Sequence, residues 1–176
     1  MLTKLTEAFR DTYSVKPLIK EDILSILKLY QSNVDYYAAV QNNPVSEEDC
    51  IHDMTKCPPG ISKEQKYYFG FYRDGTLAAV MDFVDGYPDT GTVYIGLFIV
   101  DRALHGKGVG SSILRSFLKV MKEYGYQKAA LGCFESNTAG KDFWIRLGFT
   151  VDEIVDRTEA QTLRRLMKMS LPLSGK

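Results

Sequence analysis

Val93-Tyr-Ile-Gly-Leu-Phe-Ile-Val100-Asp-Arg-Ala-Leu-His105-Gly-Lys-Gly-Val-Gly110-Ser-Ser112 decides how the rest of the chain is read. The run 93–100 is almost wholly apolar, which predicts a strand buried on both faces. From Val109 onward Ile113, Phe117, Val120, Met121 and Tyr124 recur at helical spacing, and Gly125 ends the stripe. Between strand and helix stand Gly106, Gly108 and Gly110. Glycines let successive N–H groups point into one concavity, and the helix behind them adds N–H groups that lie outside its own ladder. A site of that kind attracts phosphate oxygens. It lacks the Gly-Lys-Ser/Thr ending of a Walker loop. Its spacing also misses the dinucleotide fingerprint, and no acid stands about 20 residues on in a strand.

Downstream, 128–134 reads as a short strand and 137–147 as a helix closing on Gly148. Residues 149–155 and 163–171 read as a terminal hairpin. Strand, glycine loop, helix and strand in that order predict a crossover unit in a mixed sheet. Upstream, the aromatic run 67–72, the tight turn at Asp74-Gly75 and the run 77–84 predict a hairpin. Residues 13–19 read as an edge strand carrying Pro17. A helix follows, with Ile23, Ile26, Leu27 and Tyr30 on one stripe and acids at its start. Residues 33–41 either extend that helix or begin another, and Asn42-Asn43-Pro44 breaks the run. Ser46 caps a further helix with Glu47, Glu48 and Asp49 in its first turn, and Pro58-Pro59-Gly60 ends it. Residues 1–12 read as an N-terminal extension. The whole, 1–176, is expected to be one α/β (α+β) domain: a twisted, mostly antiparallel sheet of six or seven strands with about four helices.

The 22 basic residues equal the 22 acidic ones, so nothing in the charge points to nucleic acid or to an anionic membrane surface. No run has the length of a membrane span, and residues 1–10 lack the apolar core of a signal peptide. Three scattered cysteines, Cys50, Cys57 and Cys133, fit reduced thiols in the cytoplasm. Cys50, His52 and Cys57 lie close in sequence but match no zinc spacing, so no metal is expected.

The glycine loop resembles the main motif of the GNAT superfamily of acyl-CoA-dependent N-acetyltransferases. That motif is Gln or Arg, two residues, Gly, one residue, then Gly or Ala, after a strand; here it reads His105-Gly106-Lys107-Gly108-Val109-Gly110, preceded by Phe98-Ile99-Val100-Asp101. A second motif follows at the family's spacing, Asn137-Thr-Ala-Gly-Lys-Asp-Phe143-Trp144-Ile-Arg146-Leu-Gly148-Phe149. The likeness is dense over 93–149 and looser over 13–92. Two positions depart from the pattern: His105 stands for the usual Gln or Arg, and Trp144 for the common tyrosine.

The resemblance implies acetyl-CoA as cosubstrate. Its pyrophosphate would lie on the amides of Gly106, Gly108, Val109 and Gly110, with Ser111, Lys107 and His105 as further contacts. Two strands would splay at the cofactor, so that Phe98, Ile99 and Val100 offer an edge to the pantetheine arm. Asn137 would bond the pantetheine amides, or simply cap its helix. Phe143 would pack the cofactor tail and Arg146 would reach the adenosine phosphate. The acceptor wall would come from 30–60, where Asp35, Tyr36, Tyr37 and His52 stand. Asp85 and Asp89 could draw a cationic substrate, although turn chemistry explains them equally well.

The implied reaction is direct attack of a primary amine, from a small molecule or a peptide, on the thioester in a ternary complex. A protein N-terminus or lysine is the alternative acceptor. Asp82, an acid inside an apolar strand, and Glu135, at a strand end, are the candidate bases. Each could instead face solvent. Indole cannot replace a tyrosine acid, so either the thiolate leaves with only hydrogen-bond or solvent help or another group acts, Tyr94 being one substitute, and Trp144 is either a hydrogen-bond donor or core. The loss of the tyrosine also leaves open a non-catalytic acyl-CoA-binding protein. The reading leaves a homodimer open.

Overall fold

The structure, a computed structural model, describes residues 1–41, 43–159 and 162–174. Asn42, one of the expected helix breakers, lies outside the described residues.

Seven strands form one sheet in the order β1-β2-β3-β4-β5-β7-β6. In chain order they are β1 Ser14–Pro17, β2 Lys66–Arg73, β3 Thr76–Asp85, β4 Thr92–Val100, β5 Lys128–Phe134, β6 Thr150–Glu159 and β7 Thr162–Pro172. Every neighbouring pair is antiparallel except β4 with β5. That parallel pair is joined by α5, Val109–Glu123, the crossover that the glycine loop predicts. The β2–β3 hairpin turns on Asp74 and Gly75, with φ of 50° and 74°, the signature of a tight turn matched to strand twist.

Six α-helices occur among the described residues: α1 Leu2–Phe9, α2 Ile23–Ser32, α3 Val34–Val40, α4 Glu47–Thr55, α5 and α6 Thr138–Arg146. About four were expected, and α1 accounts for part of the difference. Residues 1–12 are no appendage, because Leu5 and Phe9 are buried with Phe71 of β2. Leu2, Leu5, Ala8 and Phe9 do recur at helical spacing, but a stripe of about two turns is short for a periodic signal to be read alone. Segment 33–41 resolves into a separate helix, α3, with Asn33 at the break. At α4, Ser46 accepts from the Asp49 N–H while the Asp49 carboxylate accepts from the Ser46 N–H, the reciprocal cap that offsets two orphan donors.

The core divides by sheet face. One cluster joins Phe69, Met81, Phe83, Val93 and Ile95 to Ile113, Leu114, Phe117 and Met121 of α5. Burial of each large side chain there contributes about 1.5–3 kcal/mol relative to exposure. The second joins Val80 and Ile99 to Ile26, Leu29 and Tyr30 of α2 and Cys50 of α4.

Strand β4 is not buried throughout, as its apolar run predicts. Gly96 is exposed, and Leu97 and Phe98 are half-buried. The cause lies in the pairing. Phe83 faces Ile95 and Asp82 faces Leu97, so Gly96 is left over as a bulge. A bulge shifts the alternation by one. Val93 and Ile95 pack on the α5 side before it, and Phe98 and Val100 after it, while Leu97 and Ile99 turn to the α2 side. At the same level β4 and β5 separate. Their pairing covers Thr92–Ile95 against Lys128–Leu131, whereas β4 goes on beside β3 to Val100 and β5 beside β7 to Phe134.

Candidate active site

A cleft of about 730 Å³ fills the opening between β4 and β5 and runs to the start of α5. Gly106 and Gly108 take φ of 73° and 76°, a left-handed conformation that side-chain-bearing residues resist. Gly108 precedes the helix, no side chain caps it, and the first ladder bond runs from Ser112 N–H to Gly108 O at 2.9 Å. The N–H groups of Val109, Gly110 and Ser111 therefore precede the ladder at the positive end of a helix. Gly110 differs: its φ is not left-handed, and a Cβ there would stand 3.4 Å from both the Phe143 ring and the Val100 side chain, an ordinary contact, so the position marks where α5 lies against α6 and β4. These features fit a pyrophosphate. Gly106, Gly108, Val109, Gly110 and Ser111 all line the cleft, and Lys107 does not.

His105 also lines the cleft, but its ring ties the chain to itself. Nε2 donates to Val100 O at 2.9 Å and Nδ1 accepts from Arg102 at 3.3 Å, a pair of contacts that one tautomer satisfies. Val100 O takes a second donor, the Asn33 Nδ2 at 3.1 Å.

The Asp101 N–H donates to Ala78 O at 2.9 Å. That bond fixes the phase of β4. Leu97 and Ile99 direct their backbone groups at β3, and Phe98 and Val100 direct theirs at the space that β5 has left. Phe98 and Val100 thus form the expected open edge, with the Val100 carbonyl already engaged and its N–H turned to the cleft. Ile99 contributes its position in the strand, while its side chain is core.

Asn137 caps α6, its Oδ1 accepting from Gly140 N–H at 3.0 Å, and it also lines the cleft. Phe143 and Trp144 line the same wall. Trp144 is buried, in edge contact with Phe143 and Phe149 at 5.1 and 5.2 Å between ring centres. Arg146 is exposed at the cleft margin.

Of the candidate catalytic groups, Tyr94 is placed in the cleft. Its hydroxyl leans over β5, where a Cβ on Gly132 would come within 3.1 Å of it. Burial raises its pKa, with Tyr87 adding to the rise and Arg157 opposing it, so the hydroxyl keeps its proton at neutral pH. Asp82 is not solvent-facing. It is 8% exposed and paired at 2.7 Å with Lys66, whose side chain is also buried. Its Oδ2 lies against Gly96, a cleft residue. Burial lifts its pKa to about 6 against the pull of Lys66, and the charge of Asp53 adds to the rise. Asp53 belongs to a buried set behind it, accepting from the Tyr30 hydroxyl at 3.0 Å, while the Tyr30 and Tyr68 hydroxyls meet at 2.6 Å. Glu135 is paired with Arg165 at 3.1 Å and does not line the cleft.

The acceptor wall is narrower than expected. Asn33, Asp35, Tyr36, Ala39 and Val40 line the cleft. Tyr37 is buried against Tyr30, and His52 is exposed on α4, away from the lining. Ser136 and Arg164 both donate to Ala39 O, at 2.8 and 2.9 Å, which pins α3 to β7 and to the loop after β5. Asp85 and Asp89 sit outside the cleft. Asp85 accepts from the Tyr126 hydroxyl, and Asp89 holds the Gly91 N–H and the Thr92 hydroxyl in the turn before β4. Three residues of consequence, Arg157, Asn33 and Lys66, carry no mark in the sequence. An exposed arginine on an edge strand has no periodic signal, and Asn33 and Lys66 acquire meaning only from partners far along the chain.

Among the described residues no cluster of His, Cys, Asp and Glu could hold a metal ion, and no helix is long and apolar enough to cross a membrane.

Comparison with known proteins agrees with this geometry. Residues 26–149 match the model of the acetyltransferase (GNAT) family. The spermine/spermidine N(1)-acetyltransferase of Bacillus subtilis strain 168 is 28% identical over 131 residues, which is 69% of this chain and 86% of that protein. An acetyltransferase from Thermus thermophilus superposes with a TM-score of 0.72 at 17% identity, covering 92% of this chain and 97% of that one. The PaiA N-acetyltransferase of Thermoplasma acidophilum, in complex with coenzyme A, gives 0.65 at 17% identity, over 92% and 99%. The chain belongs to the GNAT family and is an acetyl-CoA-dependent N-acetyltransferase.

Proposed function

We propose that the protein acetylates the primary amine of a small molecule by direct attack in a ternary complex, with Asp82 as proton acceptor and Tyr94 as proton donor. The observation that carries this reading is the separation of β4 and β5 directly ahead of the uncapped α5 start. One end of the cleft presents amides to a diphosphate, the middle presents a strand edge to an extended arm, and the far end is enclosed by α3 and Tyr94.

Bound acetyl-CoA supplies an activated acyl carbon beside that edge. The Phe98 N–H, turned away from β3, suits the developing oxyanion. A lysine-like amine has a pKa of about 10.4, so presenting it neutral at pH 7 costs about 4.6 kcal/mol. Asp82, with its pKa raised to about 6, is poised to take the amine proton while remaining mostly ionised at pH 7. The new C–N bond forms as the C–S bond breaks. The sulfur leaves with the bonding pair and takes a proton from the Tyr94 hydroxyl, which burial keeps protonated. Trp144, wedged between Phe143 and Phe149, packs the wall. Glu135 is the weaker base because its side chain is 40% exposed and paired with Arg165, whereas that of Asp82 is 11% exposed and lies against Gly96 of the cleft.

Thiol release from acetyl-CoA across a panel of small amines, with the purified chain, tests the reading. Turnover that falls sharply in Asp82→Asn and Tyr94→Phe supports it. Tight coenzyme A binding without turnover on any amine would sink it.

A further inference from the structure

Arg102 opens the single helical turn that follows β4, and it lines the cleft. Its guanidinium has two partners from different parts of the site. Nη2 meets the Asp35 carboxylate of α3 at 3.1 Å, and Nη1 meets His105 Nδ1 at 3.3 Å. His105 leads directly into Gly106, so one side chain joins the acceptor wall to the root of the glycine loop. The backbone is fastened along the same line. The Arg102 N–H donates to Ser32 Oγ at 3.2 Å, and Asn33 Nδ2 donates to that oxygen at 3.0 Å and to Val100 O at 3.1 Å. The junction of α2 and α3 is thereby tied to the end of β4. Asp35 is the single acid among the described residues that line the cleft, and Arg102 neutralises it here.

That ion pair is easily exchanged. The two side chains are 57% and 76% exposed, and exposed pairs are weak because water competes for both charges. A diphosphate on the amides of 106–111 would offer the same guanidinium two charges and several oxygens, which its planar fork grips more firmly than a single solvated carboxylate. We propose that Arg102 exchanges Asp35 for the diphosphate of the cofactor, so that the Asp35 carboxylate is released to the ammonium form of the acceptor only once the cofactor is seated. Asp35 then draws the amine in, and its proton goes on to Asp82. By linkage, each ligand strengthens the binding of the other. The exchange needs only cofactor binding, while the release to an amine rests on the small-amine reading above.

Calorimetry with coenzyme A on a double-mutant cycle tests the exchange. Asp35→Asn removes the competing acid and should tighten coenzyme A about two- to fivefold. Arg102→Gln should weaken it about tenfold or more. In the Arg102→Gln background Asp35→Asn should leave the affinity where it was, because no guanidinium remains to be set free. An equal gain in both backgrounds means that the acid acts on the phosphates directly and overturns the exchange, as does no gain in the wild-type background. Dephospho-coenzyme A keeps the diphosphate and lacks the ribose phosphate, and it should reproduce the cycle. Loss of the coupling with that probe overturns the assignment to the diphosphate. Circular dichroism establishes that each variant folds. On the acceptor side, at saturating acetyl-CoA, Asp35→Asn should raise KM about tenfold for the amines that wild type turns over, with most of the fall in kcat/KM carried by KM. An unchanged KM overturns the release to the amine. Thiol release with no amine at all would sink the small-amine reading, and the coenzyme A cycle would still decide the exchange.

Discussion

Asp82 and Gly96 meet at the β3–β4 bulge so closely that a methyl group on residue 96 would stand 2.5 Å from Asp82 Oδ2. The bulge residue has to be glycine for the carboxylate to lie against it, directly behind the cleft lining. Gly96→Ala is therefore expected to push Asp82 away and lower kcat about tenfold or more. Coenzyme A affinity should hold, because the α5 start is untouched. Steady-state kinetics with calorimetry on the same preparation separates the two effects.

Lys66 and Asp82 form a buried ion pair, and such pairs respond unevenly to mutation. Lys66→Met alone leaves a buried carboxylate unpartnered and should cost about 3–5 kcal/mol in denaturant unfolding. Combining it with Asp82→Asn should recover most of that loss, since neither buried charge then remains.

The raised pKa of Asp82 sets opposite pH trends for activity and stability. Activity needs the ionised form, so kcat/KM should fall as pH drops through about 6. For stability, a carboxyl that is easier to protonate in the folded chain contributes most below its ordinary 3.8, and that contribution is lost as pH rises through about 6. The stability difference between wild type and Asp82→Asn, measured at about pH 4 and about pH 8, should shift in favour of Asn at the higher value. A flat difference would mean that Asp82 has an ordinary pKa.

In the proposed reaction Tyr94 supplies the proton that the family pattern assigns to the position of Trp144. Tyr94→Phe should lower kcat by about tenfold to a hundredfold. Trp144→Phe should act mainly on stability, by about 1–3 kcal/mol, through loss of packing beside Phe143 and Phe149. The reverse ranking of the two kcat effects would return the donor role to the helix.

Gly108 has open space where a Cβ would stand, yet its φ is 76°. Gly108→Ala thus strains the backbone alone, by about 1 kcal/mol. Its effect on the amides of 109–111 should be larger, a rise of about tenfold or more in the coenzyme A dissociation constant by calorimetry. A variant that binds normally would remove the loop from the cofactor site.

Much of this is legible in the sequence, and particular residues show where legibility ends. Strands β2, β3, β4, β5 and the start of α5 follow from alternation, turn residues and an apolar stripe, signals that sit within a few residues of one another. Ser46 and Gly125 announce a helix start and a helix end for the same reason. Helix α1 escapes notice because its apolar stripe, Leu2, Leu5, Ala8 and Phe9, spans only about two turns and what it packs against is known only once β2 is beside it. The two-sided burial expected of β4 fails at Gly96–Phe98, since the departure of β5 is a property of the sheet. Asp82 stands out as an acid in an apolar strand, but its partner Lys66, near it only after the hairpin folds, cannot be read. Arg157 is invisible for the same reason, and of the two acids near the turn before β4, Asp89 proves to serve the turn while Asp85 accepts from Tyr126.

The extra residue in β4 has a consequence for how this protein can change over time. Because Gly96 moves the strand by half a pleat, the same short stretch supplies both halves of the molecule's interior. Side chains there can be exchanged one at a time. Loss or gain of a single codon cannot be absorbed, for it would turn Phe98 and Val100 out of one interior and Leu97 and Ile99 out of the other in one event.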